Sequence, residues 1–206
     1  MAKFTFQQAD ENACAVIAYS GNDTAVTIPE TFDGMTVVML ADDLFAGHGE
    51  ISRILLPKGL KYIGSNVFNG CKKLKSLRLP EGIENLAQYA FTGSGLEIIE
   101  IPGSVRNIIP YTFKACPDLN TAIIRLGVKK IYASAFEDCV NLELVAVPSD
   151  TEISHEAFTG CVKMNPNLTR KLVASCRCPA CTGAAPKISY PGKDKVKAFL
   201  RNKRQP

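Results

Sequence analysis

Phenylalanine recurs along this chain at Phe45, Phe68, Phe91, Phe113, Phe136 and Phe158, with spacings of 23, 23, 22, 23 and 22 residues. A fixed period of this length constrains the fold more than any other feature. A unit of about 23 residues cannot bury its own apolar edge, so successive copies must stack into a solenoid. Around each Phe the same phrase returns. The clearest copy is FNGCKKLKSLRLPEGIENLAQYAF, from Phe68 to Phe91. Leu74, Leu77 and Leu79 form an LxxLxL pattern whose last three residues alternate inward, outward, inward, the period of a strand with one buried face. Pro80 ends that strand by removing a ladder donor, as Pro57, Pro102 and Pro148 do elsewhere; Arg125 is the exception. Ile83 and Leu86 then turn back inward, and Ala90-Phe91 closes the coil.

The pattern predicts a β-rich, right-handed solenoid of parallel strands, with a leucine ladder, an isoleucine ladder and a phenylalanine spine. Six coils at a strand spacing of about 4.8 Å make a rod roughly 30 Å long. The expected organisation is an N-terminal cap and entry unit over 1–44, repeats over 45–165, and a basic segment over 166–206. The signature CxxLxxLxLPxxVxxIxxxAF resembles the BspA-like leucine-rich repeat family. The opening AVTIPETFDGMTVVMLADDLF, Ala25 to Phe45, resembles that family's entry unit. The resemblance runs from about Phe4 to Met164. It implies a binding module, and a host or matrix protein as partner.

Net charge is +4, too small to imply a polyanion partner by itself, but it is unevenly placed. From Val162 to Pro206 there are eleven Lys and Arg against one acid, Asp194, a net +10 that leaves −6 on the rest. No apolar run is long enough to span a bilayer. Polar residues from Gln7 to Asn12 stand where a secretory signal would be apolar. As written the chain reads as cytoplasmic; with an export signal removed it would be secreted or displayed at the cell surface, as the resemblance implies.

The eight cysteines do not read as a disulfide framework. Cys71, Cys116, Cys139 and Cys161 each lie three residues after a repeat Phe, where other copies carry His48 and Ser94. Such a column suits small, buried, reduced thiols, and Cys14 belongs to the cap core. Cys176, Cys178 and Cys181 form CRCPAC. Thiolates at this spacing invite zinc, with Cys161 as a fourth ligand, but no second pair follows, and the expectation is no metal; redox or inert thiols in a loop, or a disulfide within the tail, are the alternatives.

Nothing in the sequence assembles catalytic chemistry. His48 and His155 occupy repeat columns, and no GxSxG, HExxH or GxxxxGK motif is present. A non-catalytic module without a cofactor is expected, binding a protein or peptide. The strands offer its surface: their outward positions are Arg53 and Leu55, Ser76 and Arg78, Ile98 and Glu100, Thr121 and Ile123, Leu144 and Ala146. The candidate partner-binding residues are Arg53, Leu55, Arg78, Ile98, Glu100, Ile123 and Leu144, on one continuous sheet, with Ile98, Ile123 and Leu144 side by side on neighbouring strands. The apolar trio marks either a contact site or a surface the tail covers.

The tail supplies the other reading. Val196, Phe199 and Leu200 fall at helical spacing among lysines and arginines. The segment 187–204 either caps the last coil or binds nucleic acid or another polyanion. If the tail binds nucleic acid, affinity for a short duplex should fall steeply between low and physiological salt in a fluorescence titration; a flat profile removes that reading.

Overall fold

The computed structural model describes residues 4–165. Its N-terminal cap is a small sheet. Strand β1 (Phe4–Asp10) pairs antiparallel with β2 (Ala13–Tyr19), which runs parallel to β5 (Met35–Leu40); β4 (Thr31–Phe32) folds back antiparallel on β5. Aromatic contacts tie the cap together: Tyr19 meets Phe45 edge-on at 5.2 Å in the core, and nearer the surface Phe6 stacks on the exposed Phe32 at 4.1 Å between ring centres.

Beyond the cap the chain winds in coils, each contributing to two rows of short parallel strands. One row comprises β3 (Ala25–Thr27), β6 (Arg53–Leu55), β9 (Ile98–Ile101), β11 (Thr121–Ile124) and β13 (Leu144–Ala146). The other comprises β7 (Tyr62–Ile63), β8 (Asn85–Leu86), β10 (Asn107–Ile108), β12 (Lys130–Ile131) and β14 (Glu152–Ile153), with β7 joined to the cap through β5. The predicted inward residues are inside: Leu74, Leu77, Leu79, Ile83, Leu86, Ala90 and Phe91 are all buried in one core that runs the length of the solenoid.

The first row is not the single sheet expected. It breaks into a β3–β6 pair and a β9–β11–β13 sheet, linked to the copy between them only by a bridge from Ser76 to Ile98. That copy, Leu74-Lys75-Ser76-Leu77-Arg78-Leu79, has no β-branched residue. Its neighbours Ile98–Ile101 and Thr121–Ile124 are rich in them, and β-branched side chains are the ones that suit a pleated, half-buried surface.

The six phenylalanine rings stand in single file. Successive centres are 5.8, 5.2, 4.9, 5.0 and 5.4 Å apart, with planes within 21° of parallel. Left-handed turns bracket the first five rings, and one follows the sixth. Asp43, Asn66, Tyr89, Tyr111 and Ser134 lie two residues before a Phe with φ between 56° and 64°. Two residues after it stand Gly47, Gly70, Gly93, Ala115, Asp138 and Gly160, again with positive φ. Asn, Asp and Gly adopt this conformation readily, whereas a tyrosine there is strained. Tyr89 and Tyr111 offset part of that strain by stacking on each other at 5.1 Å with planes 1° apart.

Phe113 is fully buried between Phe91 and Phe136. Phe113→Ala should lower unfolding free energy by about 3–5 kcal/mol, read as a drop in urea midpoint; a change below about 1 kcal/mol would show the spine to be dispensable.

Candidate functional site

The repeat column that follows each Phe concentrates thiols, which the sequence predicts to be small, buried and reduced fillers. The structure shows what the thiols do. Cys71 Sγ donates to the carbonyl of Phe45 at 3.3 Å, Cys116 to Phe91 at 3.0 Å, Cys139 to Phe113 at 3.0 Å and Cys161 to Phe136 at 3.1 Å. Each thiol therefore reaches back one coil and satisfies a carbonyl of the phenylalanine spine. Ser94, in the same column, approaches Cys116 Sγ at 3.5 Å. All five cysteines among the described residues are free thiols, four of them buried. Burial pushes Cys71 from its ordinary 9.0 up to about 12, and hydrogen bonding with Cys116 and Cys161, together with burial, pushes Cys139 up as well. Protonated, buried thiols such as Cys71 and Cys139 are poor nucleophiles; Cys161, at the end of the column, is half-buried, and its hydrogen bond with Cys139 lowers its pKa. The shared bond to a spine carbonyl marks the column as structural. Among the described residues no group of three His, Cys, Asp or Glu side chains comes together as a metal site; Cys176, Cys178 and Cys181 lie outside them, as does 187–204.

The strand-lined face is the remaining candidate, and every outward residue named from the sequence lies on it. Alternation inside each strand sets the facing: β9 reads exposed, buried, exposed, buried from Ile98 to Ile101. Ladder register then sets the neighbours. Ile98 pairs with Thr121, which pairs with Leu144; Glu100 pairs with Ile123, which pairs with Ala146. The three apolar residues do occupy adjacent strands, but not one line across them. Ile123 sits two residues further along its strand, so it is diagonal to both Ile98 and Leu144, and Thr121 lies between those two. Leu55, Ile98 and Leu144 are 52%, 50% and 52% exposed, and Ile123 is half-buried. Arg53 and Arg78 are exposed at the other end of the row.

One residue of the face went unread in the sequence. Arg125 stands where other copies have proline, and its Nε donates to Glu100 Oε1 at 2.5 Å. Glu100 is thereby drawn into an ion pair between coils. The signal was present as the one break in the proline column, but only the fold brings Arg125 over Glu100. Similar pairs join other coils, such as Lys75 to Glu97 and Asp118, and Lys114 to Glu137. The hydrogen bond to Lys114 holds the Glu137 carboxyl below its usual range.

Known proteins agree with this architecture. The family model of the BspA type leucine rich repeat region matches residues 39–165 in six copies. A leucine rich repeat protein of T. pallidum shares 25% identity and a TM-score of 0.70, over 82% of this chain and 92% of that one. A leucine-rich repeat protein from Eubacterium ventriosum shares the fold at 20% identity and a TM-score of 0.60, over 84% of this chain and 47% of that one. No curated protein matches the sequence. No helix among the described residues is long and apolar enough to cross a membrane.

The unfolded chain releases the Cys71 proton above about pH 9 while the folded chain keeps it to about 12. Stability should therefore fall across that window, with this thiol contributing up to about 1.4 kcal/mol per pH unit. Urea midpoints between pH 8 and 11 should fall less steeply in Cys71→Ser than in the wild type; parallel curves would mean the thiol is not desolvated.

Proposed function

Because this chain belongs to the BspA type leucine-rich repeat family, we propose that it is a non-catalytic binding module that takes a protein or peptide on its strand-lined face. Repeat proteins of this class use their stacked coils as extended binding surfaces, and family membership supports binding in general. One observation carries the choice of face. On the β9–β11–β13 sheet the inward residues Ile99, Ile101, Ala122, Ile124 and Val145 are buried in the core, while Ile98, Ile123 and Leu144 stand on the outer side of the same strands. Inward apolar residues are required by the fold. Outward ones are not, and contiguous exposed apolar surface marks contact sites in soluble proteins. The thiol column, the spine and the ion pairs between coils are all consumed by the architecture. Other exposed apolar side chains, such as Leu126 and Val162, stand at turns and not on a shared sheet.

The test is a pull-down with three baits: wild type, Ile98→Lys/Ile123→Lys, and a truncation ending at Met164. The double variant should fold, as circular dichroism would show, and lose the interaction; the truncation should keep it. Retention by the double variant rejects the face, and loss on truncation moves the interaction to the basic tail.

A further inference from the structure

Most cations of the solenoid are used internally. Of the thirteen Lys and Arg within residues 4–165, eight stand in ion pairs, nearly all between one coil and the next. Arg106 donates to the Gly127 carbonyl. The side chains of Lys58, Lys72, Arg53 and Arg78 have no ion-pair or hydrogen-bond partner among the described residues. The two lysines stand at turns, outside the strand positions. Arg53 and Arg78 are exposed on the strand-lined face, in successive coils. Arg78 occupies in its copy the position that Leu55 occupies in the copy before, and Arg53 the position of Ser76. The two arginines are therefore diagonal neighbours, about 8 Å apart at the backbone, close enough for both side chains to converge on one carboxylate. Arginine is the side chain suited to planar, two-pronged recognition of such a group.

On the strength of the face reading above, we infer that the occupant is an extended peptide segment carrying an acidic residue followed by apolar ones. The acid lies between Arg53 and Arg78, beside Leu55. The apolar residues cover Ile98, then Ile123 and Leu144. Spacing follows from the coil pitch. Ile98 is two coils from Arg53 and Leu144 four, about 10 and 19 Å, or about three and six residues of extended chain. Glu100 does not oppose the acid, because Arg125 holds it.

The alternatives fit less well. The chain's own tail has only Asp194 as an acid from Val162 onward and a net +10, so the arginine end repels it. A nucleic acid would find Arg53 and Arg78, but it has no use for the apolar diagonal beyond them.

The experiment selects a random displayed-peptide library against the full chain and against Arg53→Glu/Arg78→Glu, with circular dichroism on both. Wild type should enrich peptides with Asp or Glu about three residues from an apolar side chain. The double variant should bind those peptides on the order of tenfold more weakly and enrich Lys or Arg in their place. The inference is overturned if the wild type enriches no acidic motif, or if both proteins enrich the same peptides. Single-stranded DNA that binds through these arginines would also overturn it, and so would concentration-dependent dimerisation abolished by the charge reversal. If Ile98→Lys/Ile123→Lys destroys partner binding while the charge reversal leaves it intact, the face stands and the acidic partner falls. If neither matters, both fall.

Discussion

Each repeat phenylalanine is fastened to the coil that follows it, and the rest of the molecule depends on that fastening. The ring stacks on the next ring. The amide N–H donates forward, as Phe68 does to Ala90 at 2.7 Å and Phe91 to Thr112 at 2.9 Å. The carbonyls of Phe45, Phe91, Phe113 and Phe136 each receive a thiol from the next coil's cysteine, and those of Phe45, Phe91 and Phe136 also accept the amide N–H three residues on. The column favours a small side chain that fills space and can add a hydrogen bond to the coil before it. Cysteine meets both needs, and each of the five among the described residues is a free thiol.

This spine imposes the coil pitch of about 5 Å, and the pitch makes every column of the repeat a ladder. On the inside the ladders are leucine, isoleucine and phenylalanine. On the outside the same geometry brings acids and bases of neighbouring coils together, as in Lys73 with Glu50 and Lys129 with Asp150. Exposed pairs of this kind contribute little stability individually. Their larger consequence is to neutralise the flanks and leave a contrast on the strand-lined face, where two arginines and an apolar diagonal lie outside the pairing scheme.

The face shows how far local pattern carries. Which residues of Ile98–Ile101 point outward follows from alternation alone. Which residues touch across strands does not, because register is set by backbone pairing between coils; hence the diagonal of Ile98, Ile123 and Leu144 where a row was expected. The interruption at Leu74–Leu79 is similar. Its inward leucines repeat the pattern faithfully, yet with no β-branched residue of its own the copy forms one bridge where other copies form ladders.

Sequence by itself determined the period, the inward and outward sides, the spine and the cysteine column, because each is written within a single copy and repeated. Tertiary structure decided the partners: which carbonyl each thiol meets, that Arg125 takes Glu100, that Tyr89 and Tyr111 stack from the strained turns of successive coils, and that Arg53 and Arg78 are left unpaired on the strand-lined face. Those facts join residues of different coils. A contact between coils depends on pitch and register together, and no one copy contains either.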